Sequence, residues 1–311
     1  MTAGFASTHA GAAAALAAGE LVILPTETVY GLAADAADPA AVARLYEAKR
    51  RPRFNPLIAH VADLPMAAGI ADLDERARRL AAAFWPGPLT LVAPIADRAR
   101  VCDLARAGLD TVAVRAPAHA VAQAVITAFG RPLVAPSANR SGRPSPTTFA
   151  DALTETGAAA AVALDGGPCA IGLESTVISL LDGPPRLLRP GAVTRAEIEA
   201  LIGPLAEAEA DAARSPGRLA RHYAPAAPLR LDADAPAPGE AWLAFGPAPE
   251  DARTINLSPA GDLREAAAHL FSALRAADAL APTAIAVAPI PDHGLGEAIN
   301  DRLRRAAGYV G

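Results

Sequence analysis

The sequence predicts an α/β protein in two parts, a larger one built on a mixed sheet and a smaller one after it. Three observations carry this. Short apolar runs that read as strands alternate with helix-period segments along all 311 residues. Some of those runs follow one another too closely for a crossover helix, so the first sheet cannot be all parallel. A polar stretch with no sustained apolar period, residues 204–227, separates two such patterns. The expected domains are therefore 1–203 and 228–311, joined by a linker at 204–227.

Taken in order, Thr8 can cap an Ala-rich helix that stops near Gly19. ELVILP is a short buried strand, and TETVYGLA follows as a loop. Asp38-Pro39 is a cap with proline at the first helical position, opening a helix to about Lys49. PLIAHVA reads as a strand and 74–84 as a helix. GPLTLVAPI, TVAVRAP, PLVAPSA and AVALDG are further strands, with helices near 118–129 and 147–156. ESTVISLL and PRLLRP form a pair turning at Asp182-Gly183, and a helix from Thr194 to about Ile202 closes the first pattern. The second begins at Leu229: LRLD, AWLAFG, TINLS, a helix from Asp262 to about Leu280, AIAVAPI and a closing helix.

Hydrophobic residues make up 52% and charged residues 20%, which is ample for a core. The net charge of -5 argues against a broad polyanion-binding face and leaves room for a local basic pocket. The only cysteines, Cys102 and Cys169, form no CxxC pair, which excludes a disulfide scaffold and a cysteine zinc site. The first twenty residues lack a basic n-region, and no strongly apolar window of about 18 residues occurs, so neither a signal peptide nor a membrane span is expected. The expected setting is a reducing cytoplasm. GxxxxGK[ST], GxSxG and HExxH are all absent. GLGEAI at 294–299 resembles half a dinucleotide fingerprint but has isoleucine at 299, and reads better as a strand-to-helix turn.

What remains is a set of polar groups at strand ends, where open α/β sheets bind ligands. They are PTETVYG, KRRPRFNP, Thr111 and Arg115 around TVAVRAP, PSANRSGRPSPT, ESTV, and Arg189 in LLRPGAV. They offer hydroxyls, an amide and guanidinium forks matched to phosphate or carboxylate, and no nucleophile–base pair. Taken singly, each has a plain structural reading. Lys49, Arg50, Arg51 and Arg53 complement a helix C-terminus, SANRSG is a polar turn, His60 a strand histidine, Thr28 a cap, Ser175-Thr176 strand formers. Their joint occurrence in this order favours an anion-binding site.

The ordered set PTETVYGLAADA, K-x-R-P-x-x-x-P-L-I-x-H, FWPGPLTLV, TVAVRAP, PSANRSG, ESTV and LRPGAV closely resembles the threonylcarbamoyl-AMP synthase family. SPGRLARHYAP places the chain with the family's long Sua5 type rather than the short YrdC type. The resemblance implies a twisted open mixed-sheet YrdC-like domain with a positive cavity, plus a small Rossmann-like C-terminal domain. It implies an enzyme, a nucleotidyltransferase that makes L-threonylcarbamoyladenylate and pyrophosphate from L-threonine, bicarbonate and ATP. The product serves t6A formation at position 37 of tRNA through a downstream transferase, with Mg2+ held mainly by the ATP phosphates and no protein metal ligands. The same resemblance implies that Lys49, Arg51, Ser137 and Asn139 are catalytic. Threonine should contact Thr28, His60, Arg115, Ser175 and the backbone near Ala135. ATP should contact Arg51, Asn55, Thr111, Ser137, Ser145, Arg189 and, from the linker, Tyr223. Separately, the polar, Pro/Gly-flanked character of residues 214–225, which carry Tyr223 between the domains, predicts a lid.

Five positions, at three sites, depart from the family pattern. Arg50 stands where glycine is frequent and is expected to face solvent, Ser179 stands for aspartate, and Arg218-Leu219-Ala220 replaces Met-Lys-Tyr. Arg218 or Arg221 would then supply the linker's missing charge. Two other readings compete. A related carbamoyltransferase would carry zinc motifs that are missing. An RNA-binding module sits poorly with the negative charge and with aromatics at 4%. No stable nucleic-acid complex is expected.

Overall fold

The computed structural model describes residues 8–207 and 222–308. Thr8 caps α1 (His9–Ala17), its hydroxyl accepting from the Gly11 N–H at 3.0 Å. β1 (Val22–Leu24) turns back into β2 (Gly31–Asp35), its antiparallel neighbour. Here the sequence expectation needs correction, because the end of TETVYGLA is strand. Glycine and alanine have little β-propensity, but this segment is buried along its whole length and paired on both edges, with β1 and with β6 (Leu133–Val134). α2 (Pro39–Lys49) begins on Asp38, whose carboxylate accepts from the Ala40 N–H, and stops at Arg50 in the left-handed region, φ 50°.

β3 (Ile58–His60) leads through α3 (Leu64–Ala68) and α4 (Glu75–Phe84) to β4 (Leu89–Pro94) and β5 (Thr111–Arg115). The five-residue α3, capped by Asp63, is too short to show a period and was absent from the sequence reading. α5 (Ala120–Phe129) precedes β6, and α6 (Phe149–Thr156) precedes β7 (Val162–Ala163). β8 (Thr176–Ser179) and β9 (Arg186–Arg189) form the expected antiparallel pair, and a Thr194–Glu197 capping box starts α7 (Arg195–Ile202). The sheet then takes in β10 (Ala206–Glu207), parallel to β9 and beyond the expected boundary at 203.

The ten strands run β10-β9-β8-β4-β5-β3-β6-β2-β1-β7, with parallel and antiparallel pairs mixed. Alternation along β1 fills a core on each face: Ile23 joins Leu32, Leu45 and Leu91 on one side, while Val22 and Leu24 join Val125 and Ile126 on the other. The second sheet holds β11 (Leu229–Arg230), β12 (Ala241–Ala244), β13 (Thr254–Asn256) and β14 (Ile285–Val287) in the all-parallel order β11-β14-β12-β13. α8 (Leu263–Ala279) and α9 (Leu295–Ala307) pack on it, and GLGEAI, expected as a turn, instead supplies the cap Gly294 and the first five residues of α9.

The two parts share a core. Val29 and Leu173 of the first pack with Phe271 and Leu303 of the second and with Tyr223 at the end of the linker. Gly172 permits this approach, because a Cβ there would lie 2.5 Å from the Ala268 carbonyl oxygen of α8. The region of closest contact is also where the polar strand ends collect.

Candidate active site

The parallel register pairs His60 of β3 with Arg115 of β5, so both side chains leave the same sheet face. The buried Arg115 guanidinium is fixed by three bonds. Nε donates to the Gly87 carbonyl at 3.1 Å, one Nη to the Thr28 hydroxyl at 2.9 Å, and the other to a Glu27 carboxylate oxygen at 2.6 Å. Two of its five N–H groups stay available for a planar anion. Burial opposes charge on Glu27, but the adjacent guanidinium outweighs it and holds the carboxyl below its ordinary value.

The groups beside Arg115 can only accept. Thr26 donates to the Val29 carbonyl at 2.6 Å, so the Thr28 hydroxyl, 2.8 Å from Thr26, donates to it. With Arg115 donating to the same oxygen, Thr28 has only acceptor capacity left. His60 Nδ1 lies 3.1 Å from the Ile58 carbonyl, which fixes the proton on Nδ1 and leaves Nε2 as an acceptor. Burial, reinforced by Arg115, pushes His60 down to about 3, so the ring is neutral. A fork for a carboxylate beside acceptors for N–H or O–H donors is the donor set an α-amino acid requires.

Thr28, His60, Arg115, Ser175 and Ala135 line one cavity, and Arg51, Ser137, Arg189 and Tyr223 line the same one. Arg51 is buried, donating to the Asn55 and Pro56 carbonyls at 3.3 and 3.1 Å; burial lowers it to about 10, still cationic at neutral pH. Arg189 clasps the Ser175 carbonyl at 3.0 and 2.9 Å and reaches its hydroxyl at 3.1 Å. Gly191 makes this close packing possible, since a Cβ there would lie 2.4 Å from the Thr176 nitrogen.

Five of the expected residues lie elsewhere. The ammonium of Lys49 is buried behind the cavity, donating to the Ser137 and Asn139 carbonyls, and burial lowers its pKa well below the ordinary value. It ties the Lys-x-Arg and Ser-x-Asn segments together, because a buried ammonium must satisfy its donors and those carbonyls are in reach. Asn139 braces its own loop, donating to the Arg140 and Arg143 carbonyls at 2.8 Å. Ser145 donates to Glu174. Thr111 starts β5 opposite Pro94, and the amide of the buried Asn55 has no hydrogen-bond partner. Arg50 is exposed as expected.

Sequence reasoning passed over Glu27, Glu174 and His222, although each lies inside a quoted motif beside a chosen residue. Glu174 lines the cavity with Oε2 on Arg302 of α9 at 2.9 Å. Burial would raise its pKa, but Arg302 and Arg189 more than reverse that and hold it at about 2. His222 and Tyr223 enter from the linker's end, rings 3.9 Å apart and edge to face. Tyr223 is fully buried at φ 64°, strained for a non-glycine residue, with its hydroxyl unpartnered. Together they leave about 50 Å³ free in the cavity, room for a few waters where ligand pockets typically have several hundred Å³. Positions 214–221, including Arg218 and Arg221, lie outside the described residues.

A family model described as "Telomere recombination" matches residues 14–191, and one described as "Threonylcarbamoyl-AMP synthase, C-terminal domain" matches 193–308. The chain belongs to the threonylcarbamoyl-AMP synthase family. It is 42% identical over 314 residues to the threonylcarbamoyl-AMP synthase of Pyrococcus abyssi, covering 94% of this chain and 91% of that relative. Identity to the Bacillus subtilis threonylcarbamoyl-AMP synthase is 40% over 319 residues, with coverage of 96% and 92%. The crystal structure of P. abyssi Sua5 complexed with L-threonine superposes with a TM-score of 0.89 at 40% identity, over 97% of this chain and 94% of that one. Family and structure agree on the two-domain α/β architecture.

Proposed function

We propose that this enzyme condenses L-threonine, bicarbonate and ATP into L-threonylcarbamoyladenylate and releases pyrophosphate. The observation that carries the reading is the divided cavity, with an amino-acid donor set around Arg115 and two further guanidiniums, Arg51 and Arg189, opening into the same space. Family membership supports the same activity. Threonine's carboxylate takes the two remaining N–H groups of Arg115, while Thr28 and His60 accept from its ammonium or hydroxyl. A pocket that hydrogen-bonds the substrate hydroxyl rejects an analogue lacking it more strongly than an apolar pocket does. Ser175 and the backbone at Ala135 complete that half.

Arg51 and Arg189 face the phosphates, with Ser137 and Tyr223 at the same wall. Asn55, Thr111 and Ser145 join the nucleotide once the cavity opens, and Lys49 and Asn139 shape the loop that carries Ser137. The deprotonated amine adds to CO2 drawn from bicarbonate, and the proton leaving nitrogen and the hydroxide leaving bicarbonate combine as one water, giving the carbamate anion. A carbamate oxygen of the adduct then attacks the α-phosphorus, and the bond to the bridging oxygen breaks to free pyrophosphate. Positioning and charge neutralisation suffice for such a displacement. A magnesium ion, arriving on the phosphates, would offset their charge. Among the described residues no group of three or more His, Cys, Asp or Glu could hold a metal ion, and Glu174 is engaged by Arg302 and Ser145.

The remaining assignments follow from the same reading. The catalytic domain, expected over 1–203, takes in β10 at 206–207, the linker after it carries the lid, and 228–311 is the Sua5 C-terminal domain. The product passes to a tRNA threonylcarbamoyltransferase in the cytoplasm, and no helix among the described residues is long and apolar enough to cross a membrane. The test is pyrophosphate release from Mg-ATP with and without L-threonine and bicarbonate, with mass spectrometry of the product. Release that depends on both, with the adenylate detected, is expected; release indifferent to threonine would reject the reading.

A further inference from the structure

The nucleotide half of the cavity is held from the other domain. Arg302 of α9 is fully buried and reaches the segment that carries Arg189 and the one that carries Ser175. Its Nε donates to Glu174, the residue before Ser175, at 2.9 Å. One Nη donates to the Pro190 carbonyl, just after Arg189, at 2.9 Å, and also to Asp301 at 2.7 Å. Its guanidinium lies 5.5 Å from the centre of the Tyr223 ring. A second arginine of that domain, Arg275 of α8, donates to Glu155 of α6 at 2.9 Å and to the Pro144 carbonyl, beside Ser145.

Among the described residues Glu174 is the one carboxylate lining the cavity, and it sits within electrostatic reach of Arg189. A carboxylate there has two choices. Paired with Arg302 and Ser145 it leaves Arg189 facing the cavity. Released from Arg302, it would remain a buried charge held only by Ser145, within electrostatic reach of the Arg189 guanidinium. An ATP phosphate would then have to displace Glu174 from that guanidinium and also meet its negative charge.

The geometry points to Arg302 as a positioning residue that sequesters Glu174, keeping Arg189 free for the nucleotide's phosphates. The second domain thereby sets ATP affinity without touching ATP. This rests on the cavity being an ATP site. In the threonine half, Arg115 and the groups that fix it, Gly87, Thr28 and Glu27, bond to neither arginine of the second domain among the described residues; only Ser175, next to Glu174, adjoins the bridge.

The experiment is titration calorimetry of the full chain with Mg-ATP and, separately, with L-threonine, on wild type, Arg302→Met, Arg302→Lys and the double variant Arg302→Met with Glu174→Gln. Arg302→Met should weaken Mg-ATP by about tenfold to 100-fold, the scale of a misplaced site group, and change threonine affinity less than about twofold. Arg302→Lys should fall between. The double variant should recover most of the loss, since the neutral amide no longer competes for Arg189; a merely structural bridge would show no such rescue. Equal weakening of both ligands, or a double variant as poor as Arg302→Met, overturns the proposal. Should Arg302→Met fail to fold by thermal melt, Arg302→Lys with and without Glu174→Gln carries the test, and a Lys variant with unchanged ATP affinity overturns it. Wild type that binds Mg-ATP but releases no pyrophosphate with threonine would sink the proposed reaction while leaving these affinity comparisons readable.

Discussion

The two halves of the cavity are built differently. Around Arg115 the side chains stand on neighbouring strands or on a loop locked by its own hydrogen bonds, and Thr28 and His60 have one hydrogen-bonding role each left to play. Around Arg51 and Arg189 the cations rest on carbonyl oxygens of loops, one wall is braced by Arg302 from the second domain, and the linker's His222 and Tyr223 fill the space. A small rigid substrate can be met by a preformed pocket on a sheet. A long, flexible anion that must enter and leave as pyrophosphate and adenylate needs walls that move. One fold supplies both by placing the first on strand register and the second at a domain junction.

The largest expected effects would separate the halves. Arg51→Ala should cut adenylate formation by about 100-fold or more, because it removes a preorganised phosphate-facing cation, while threonine binding persists. Arg115→Ala should do the reverse. It abolishes threonine binding and destabilises the fold by about 3 kcal/mol, since Glu27 is left buried without its partner, yet Mg-ATP still binds. Calorimetry with each ligand checks both variants, and loss of both ligands in both variants would erase the distinction.

A smaller effect lies in pH. His60 in one half and His222 in the other are held neutral, each near 3 against an ordinary 6.5, mainly by burial. Between those values the unfolded chain binds protons that the native state refuses, so stability is complete above about 6.5 and falls as pH drops toward 3. Down to the ordinary glutamate value of 4.5 the two rings should dominate, each contributing up to about 1.4 kcal/mol per pH unit. His60→Gln should roughly halve the slope of urea stability against pH over that window; an unchanged slope would mean the strand histidine is not a buried neutral ring. The smallest effect serves as a control outside both halves. Arg50→Gly relieves a left-handed residue on the surface and should raise stability by about 1 kcal/mol or less with both ligand affinities unchanged, read from the melting temperature.

The strand ends and helix caps were legible because they are local. Asp38-Pro39 and Thr194 with Glu197 announce helices within a few residues, and motif order brought Thr28, His60, Arg115, Ser175 and Arg189 to one place. What escaped depends on partners distant in sequence. The strand at 31–35 exists because β1 and β6 flank it, and two-residue β10 has no period to read. Lys49 stands among the residues expected to be catalytic because sequence does not show which way an ammonium points; it bonds the loop carbonyls at 137 and 139. Glu174 looked like an ordinary neighbour of Ser175 until Arg302, 128 positions away, supplied its charge.

Arg51 and Arg189 rest on neutral oxygens, so the cavity carries positive charge that the polypeptide itself only partly offsets. Any anion that fits becomes a missing piece of the folded molecule. Binding the native chain alone, it adds stability that grows with the logarithm of its concentration, about 2.7 kcal/mol at a hundredfold excess over its dissociation constant. The supply of ATP would then govern how long each copy survives proteolysis as well as how fast it turns over. In a cell depleted of energy, this protein would be among those that unfold sooner.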